Sequence, residues 1–157
     1  ENVQSVRDLV SEGAREVKRK SDDVDIWWHP IVYLAESKEE ALFNMGSGGA
    51  HFLSRSTMDG KQIPPELRDP IKKLAESWNP GYSGGVIEAD VAKLAKDLGV
   101  ADYLFERGGA LGGTAKDITE GLKKLQDRNV NQLMLLIRGG DELDVLNTLG
   151  REVLPNF

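Results

Sequence analysis

Val3, Val6, Val10, Ala14 and Val17 recur at intervals of three and four, with Arg7, Asp8, Glu12, Arg15 and Glu16 elsewhere around the helix, a spacing that predicts an amphipathic surface helix. Ser21, Asp22 and Asp23 break it. The stretch VDIWWHPIVYLA (24–35) is then apolar on both alternating faces, the pattern of a parallel strand covered on both sides. Pro30 cannot donate to a ladder, so at His29-Pro30 that strand is expected to be bulged, irregular or locally unpaired. A second strand is predicted over 131–137, where Leu133 to Ile137 run without polar interruption into Arg138-Gly139-Gly140.

Between and after these strands the pattern is helical. Ser37 is placed to cap a helix beginning Lys38-Glu39-Glu40, with Glu40 at the capping-box position. The following stretch is punctuated by Gly46-Ser47-Gly48-Gly49, Asp59-Gly60, Pro64-Pro65, Asn79-Pro80-Gly81 and Gly84-Gly85, with helical pieces at 65–78 and 86–98. Thr114 caps a helix carrying Ile118, Leu122 and Leu125 on one face and Asp117 at its capping-box position, and Asn129 stops it. A last helix with apolar positions Leu143, Leu146, Leu149 and Val153 ends at Pro155. The order helix, strand, excursion, helix, strand, helix implies an α/β fold with parallel strands and helical crossovers. Two parallel strands cannot cover this many amphipathic helices. The rest of the sheet is therefore expected from an absent N-terminal segment, from a second chain, or from unseen strands in the excursion, and a truncated or nicked larger α/β barrel is the favoured reading.

Composition narrows the function. At 157 residues the chain suits one domain with a real core. Its apolar fraction is 39%, rising to about half when the 17 glycines are counted, which is ordinary for a soluble globular protein. A net charge of −6 and a pI near 5.0 argue against a nucleic-acid groove, and Lys18-Arg19-Lys20 is a solvated helix end. With no cysteine there are no disulfides, thiolate metal sites or cysteine nucleophiles, which fits a reducing cytoplasm. No apolar run approaches the ~20 residues of a membrane span and no signal peptide is visible. The chain opens Glu1-Asn2-Val3 without an initiator Met, so the gene is expected to start upstream.

Several segments together resemble a family. Trp27-Trp28-His29-Pro30-Ile31-Val32 followed by Ala35-Glu36-Ser37-Lys38-Glu39-Glu40-Ala41 resembles the seventh strand and following helix start of luciferase-like flavin- or deazaflavin-dependent oxidoreductases. Ala50-His51-Phe52-Leu53 and Gly60-Lys61-Gln62-Ile63-Pro64-Pro65-Glu66-Leu67-Arg68 are similar to the insertion of some members. Gly113-Thr114-Ala115-Lys116-Asp117-Ile118 is similar to their Gly-Thr-Pro-x-x-Val helix start, with Ala115 where proline is common. Asn131-Gln132-Leu133-Met134-Leu135-Leu136 and Gly150-Arg151-Glu152-Val153-Leu154-Pro155 resemble the eighth strand and the closing helix.

The resemblance implies a (β/α)8 TIM barrel. Residues 1–157 would be its C-terminal segment, with 38–112 a helical insertion after the penultimate strand. It further implies FMN or the 8-hydroxy-5-deazaflavin coenzyme as cofactor, a small organic substrate, and an oxidoreductase or monooxygenase reaction. The remaining N-terminal part of the barrel, in the same or a second chain, would be the partner. Homodimers are common in such barrels. Nucleic acid and membrane are not expected partners, and the catalytic residues would lie outside this chain, leaving it inactive alone.

In such a barrel the site lies at the C-terminal ends of the strands. There Arg138 would meet a phosphate or carboxylate, while Gly139 and Gly140 admit the ligand to the backbone and the helix start behind them favours an anion. The competing reading pairs Arg138 with Asp141 or Glu142 and leaves the glycines to make the turn. His51, with Ser54, Arg55 and Ser56, is a polar cluster that would line a substrate pocket if the excursion covers the barrel mouth, and Arg107 is a third candidate substrate contact. The loop Arg107 to Gly113 lacks the spacing of a phosphate cradle and is either a hinge or a plain connection. His29 is expected to be a hydrogen-bonded core histidine, and Trp27, Trp28 and Tyr33 to be packing residues. No H-E-x-x-H cluster is present, so a metal centre is not expected, and no G-x-S-x-G elbow supports a serine nucleophile. Two other classes stay open: a non-catalytic barrel subunit, and a small self-contained α/β binding module.

Overall fold

Pro30 decides where regular pairing starts. Strand β1 (Ile31–Leu34) begins one residue after it and is the centre of a parallel three-stranded sheet of order β2-β1-β3, where β2 is Ala110–Gly113 and β3 is Leu136–Ile137. The structure, a computed structural model, describes residues 2–45, 58–59, 61, 63–76, 89–106, 110–130, 132–138 and 140–157. Ile31 to Leu34 align with Ala110 to Gly113 on one side, and Ile31 and Val32 align with Leu136 and Ile137 on the other. Upstream of the proline a single parallel bridge joins Trp28 to Leu133. The Pro30 carbonyl still accepts from the Leu136 N–H at 3.1 Å, so only the donor that proline lacks is lost from the ladder. The local irregularity expected at His29-Pro30 is therefore present, and the two predicted strands are shorter than their apolar runs.

Strand β2 was not expected. The segment Arg107 to Gly113 is neither a hinge nor a plain connection over its described part, since Ala110–Gly113 pairs with β1 along its whole length. The segment 38–112 is accordingly not wholly helical. Its signal is hidden because Ala-Leu-Gly-Gly has low strand propensity and no alternation. Packing explains the glycine at 112: a Cβ there would lie 2.9 Å from Ala41 Cβ and 2.8 Å from Phe105 Cζ, so only a bare backbone fits between those side chains.

Alternation along β1 divides the core in two. Tyr33 and Ile31 face a layer made by α2 (Lys38–Met45), α3 (Pro65–Glu76), α4 (Ala89–Asp97) and α5 (Ala101–Glu106), where Leu42, Ile71, Leu74, Ala95 and Leu104 are buried. Val32 and Leu111 face the opposite layer of α1 (Asn2–Glu16), α6 (Ala115–Asp127) and α7 (Glu142–Thr148), which contributes Val3, Ile118, Leu122, Leu125 and Val145. The class is therefore α/β with a parallel sheet, as the element order implied. The described sheet is open, however, and helices cover both its faces. A barrel strand instead turns one face inward onto the side chains of the other strands. The far side of β1, which a barrel would give to the preceding strand, is taken by β2 from within the excursion.

The last helix packs on another face than its apolar spacing suggests. Val145, Leu149 and Val153 are buried, whereas Leu143 and Leu146 are 66% and 54% exposed. Beyond α7 the chain widens into a π turn over Leu149–Val153 and tightens into a 3-10 turn over Leu154–Asn156, in which Pro155 ends the helix. Asn129 ends α6 as expected, with a left-handed φ of 61° that asparagine tolerates. Among the described residues no helix is long and apolar enough to cross a membrane.

Candidate functional site at the carboxyl ends of the strands

All three strands run into helix starts at the same end of the sheet: β1 through Ala35 to Ser37 into α2, β2 through Thr114 into α6, and β3 through Arg138 to Asp141 into α7. Each start carries its own cap. Ser37 Oγ accepts from the Glu40 N–H at 3.1 Å, and Glu40 Oε2 accepts from the Glu36 N–H at 3.0 Å. Thr114 Oγ1 accepts from the Asp117 N–H at 3.3 Å, and Asp117 Oδ2 accepts from the Thr114 hydroxyl and N–H at 2.7 and 3.0 Å. Asp141 Oδ1 accepts from the Leu143 and Asp144 N–H groups at 2.9 and 3.2 Å. The Lys38 ammonium lies 3.4 Å from Asp117 Oδ1 and ties the starts of α2 and α6 together.

These caps change the chemistry expected here. A helix start binds an anion through unsatisfied N–H groups. Behind Arg138 the Leu143 and Asp144 N–H groups already donate to the Asp141 carboxylate, so an anion there would meet a carboxylate. Arg138 itself remains suited to an anion. Its backbone N–H donates to the Val32 carbonyl at 2.9 Å, its side chain is exposed, and among the described residues no carboxylate lies within ion-pair distance of it. The pairing with Asp141 or Glu142 is not formed. Gly140 adopts a left-handed φ of 68°, which accounts for that glycine as a turn residue.

The sequence did not reveal that the Arg138 charge acts on Tyr33. Burial pushes the Tyr33 phenol above its ordinary range, and the nearby Arg138 guanidinium pulls it partly back. Tyr33 was expected only to pack, and it does, but it also puts a buried phenol beside the exposed guanidinium at the ends of neighbouring strands. The signal was the adjacency of β1 and β3, visible only if their register is known. At the edge of this end, hydrogen bonds from Thr114 hold the Asp117 carboxyl below its usual range against an opposing desolvation, with Lys38 adding to the effect.

Of the other candidates, Gly139, His51, Arg55 and Arg107 lie outside the described residues. The structure therefore brings together only Arg138 and Gly140 from the expected cofactor and substrate sets. His29 is exposed rather than buried, and Trp27 is 62% exposed rather than packed; in the stretch before Pro30 it is Trp28 that bridges to Leu133. No group of three or more His, Asp or Glu side chains suited to a metal occurs among the described residues. No known protein family, curated protein or solved structure matches the chain.

Proposed function

We propose that this chain is the C-terminal part of a luciferase-like flavin- or deazaflavin-dependent oxidoreductase or monooxygenase, completed by further strands of a (β/α)8 barrel from the same or a second chain. The carrying observation is the edge of β3 that no strand covers among the described residues. The Met134, Leu136 and Arg138 N–H groups donate to the carbonyls of Trp28, Pro30 and Val32, so by strand alternation those of Leu133, Leu135 and Ile137 turn outward. An edge of five consecutive apolar residues with outward donors is an unstable surface to leave in water, and a further parallel strand would satisfy it. Met134, Leu143, Leu146, Leu154 and Phe157 are all more than half exposed, apolar side chains that further helices would cover.

Arg138 would hold the phosphate of FMN or of the 8-hydroxy-5-deazaflavin coenzyme as a point of positive charge, with Gly139 and Gly140 admitting it to the backbone. When bound, the isoalloxazine or deazaflavin ring supplies the hydride chemistry, and the protein supplies orientation and a dry pocket. His51, Arg55 and Arg107 are proposed substrate contacts. The cysteine-free chain suits a reducing compartment such as the cytoplasm.

A second reading is favoured by one observation. Because β2 occupies the far flank of β1 and helices cover both faces, the same residues also suit a small self-contained α/β binding module. Intact mass and N-terminal sequencing of the purified native protein, read beside its visible absorbance, separate the two. The oxidoreductase reading expects additional polypeptide and bound flavin or deazaflavin; a lone colourless 17.3 kDa species that unfolds cooperatively as a monomer overturns it in favour of the module.

A further inference from the structure

Tyr33 and Arg138 are neighbours across two strands. Ile31 and Val32 align with Leu136 and Ile137, and the Arg138 N–H continues that ladder by donating to the Val32 carbonyl at 2.9 Å. The next position along the register therefore sets Arg138 beside Tyr33. Alternation sends both side chains off the same face of the sheet, at its carboxyl end. Their surroundings differ: Tyr33 is 7% exposed and packs in the core with α2 to α5, whereas the Arg138 side chain is exposed.

A phenol buried this far ordinarily gives its O–H to a protein acceptor. Tyr33 does not. Burial and the Arg138 charge are what move its ionisation, and no hydrogen bond contributes. Among the described residues, the side-chain atoms both fully enclosed and without a partner are Arg7 Nε and Gln132 Oε1, on residues that with Asp25 wall a cleft between α1 and the segment leading into β1. The Tyr33 hydroxyl is not one of them, so it keeps some surface while its ring is buried. Arg138 likewise has no carboxylate within ion-pair distance among the described residues. Two adjacent donors at the end of the sheet thus lack an acceptor.

We propose that Tyr33 and Arg138 hold one phosphate monoester between them, the Tyr33 O–H and the Arg138 guanidinium donating to different oxygens of the same group. This rests on the reading of Arg138 as the contact for a cofactor phosphate, and adds to it a binding residue from the neighbouring strand. A phosphate monoester has three free acceptor oxygens, enough for a guanidinium fork and a hydroxyl together. A carboxylate has two oxygens, which the fork alone occupies. A cation would be repelled by the guanidinium, and an apolar group would leave both donors unpaired. Burial serves the same end, because a phenol raised above its ordinary range keeps the proton it donates.

The test is calorimetric titration of the full native protein, dialysed free of any bound cofactor, with inorganic phosphate, with FMN, and with riboflavin, which carries the same ring without the phosphate. Inorganic phosphate is expected to bind at millimolar concentration, and Tyr33→Phe and Arg138→Gln each to weaken it by about tenfold or more, the loss of a hydrogen bond to a charged group. The double variant should lose less than the product of the two factors, because both side chains act on one group. Phenylalanine keeps the buried ring and Arg138 is exposed, so neither variant empties the core. FMN should follow the same pattern, while riboflavin should bind Tyr33→Phe as it binds the wild type. Phosphate binding that depends on both residues, with no binding of FMN, upholds the shared phosphate contact and overturns the flavin reading. FMN binding that Tyr33→Phe leaves unchanged upholds the flavin reading and overturns the role of Tyr33. No heat with inorganic phosphate, or phosphate affinity unchanged in Tyr33→Phe, also overturns it.

Discussion

Thr114 and Asp117 exchange three hydrogen bonds across one helical turn, and the first turn of α6 depends on them. Thr114→Ala is expected to cost about 1 kcal/mol, the usual value of an N-cap, read as a lower denaturant midpoint with unchanged slope. The same bonds depress the Asp117 carboxyl. A depressed acid stabilises the fold above its unfolded value, near 4, and that contribution is lost as pH falls through the folded value. Acid unfolding of the wild type should therefore include a loss below about pH 4 that Asp117→Asn does not show. Tyr33 has the opposite sign. Its phenol is raised by burial, so its contribution is fully present below the unfolded value, about 10, and lost as pH rises through the folded one. Arg138→Gln removes the charge that opposes this shift, and tyrosinate absorbance should then show the buried tyrosine titrating at higher pH than in the wild type.

At the scale of elements, the clearest departure from the apolar pattern is the last helix. Leu143, Leu146, Leu149 and Val153 follow helical spacing, but two of them face solvent while Val145 takes the core position. Leu149→Ala should cost about 2–4 kcal/mol in urea unfolding, as buried leucines do, and Leu143→Ala should stay within about 0.5 kcal/mol. Equal effects would mean that the helix packs on the face its spacing implies. The caps at Ser37 and Thr114 and the stop at Asn129 were legible because they act over three or four residues. The β2 strand was not, since Ala110-Leu111-Gly112-Gly113 has neither alternation nor bulk. Its glycine at 112 is required by Ala41 and Phe105, residues brought there only by folding.

For the whole molecule, the layering of helices over both faces follows from strands apolar at odd and even positions, and among the described residues it leaves the edge of β3 open. That open edge supports a larger assembly, while the seat of β2 beside β1 supports a self-contained module; the masses and absorbance of the native protein distinguish them. The sequence by itself determined the α/β class, the caps at Ser37 and Thr114, the stop at Asn129, the break at Pro30 and the placing of Arg138 just after a strand. These depend on backbone chemistry and spacing within a turn or a strand. Only tertiary structure decided the strand order, the outward turn of Leu143 and Leu146, the action of the Arg138 charge on Tyr33, and the closing of Arg7, Asp25 and Gln132 around one cleft. Each of those joins residues far apart in the chain, and no local preference encodes which distant partner a side chain will meet.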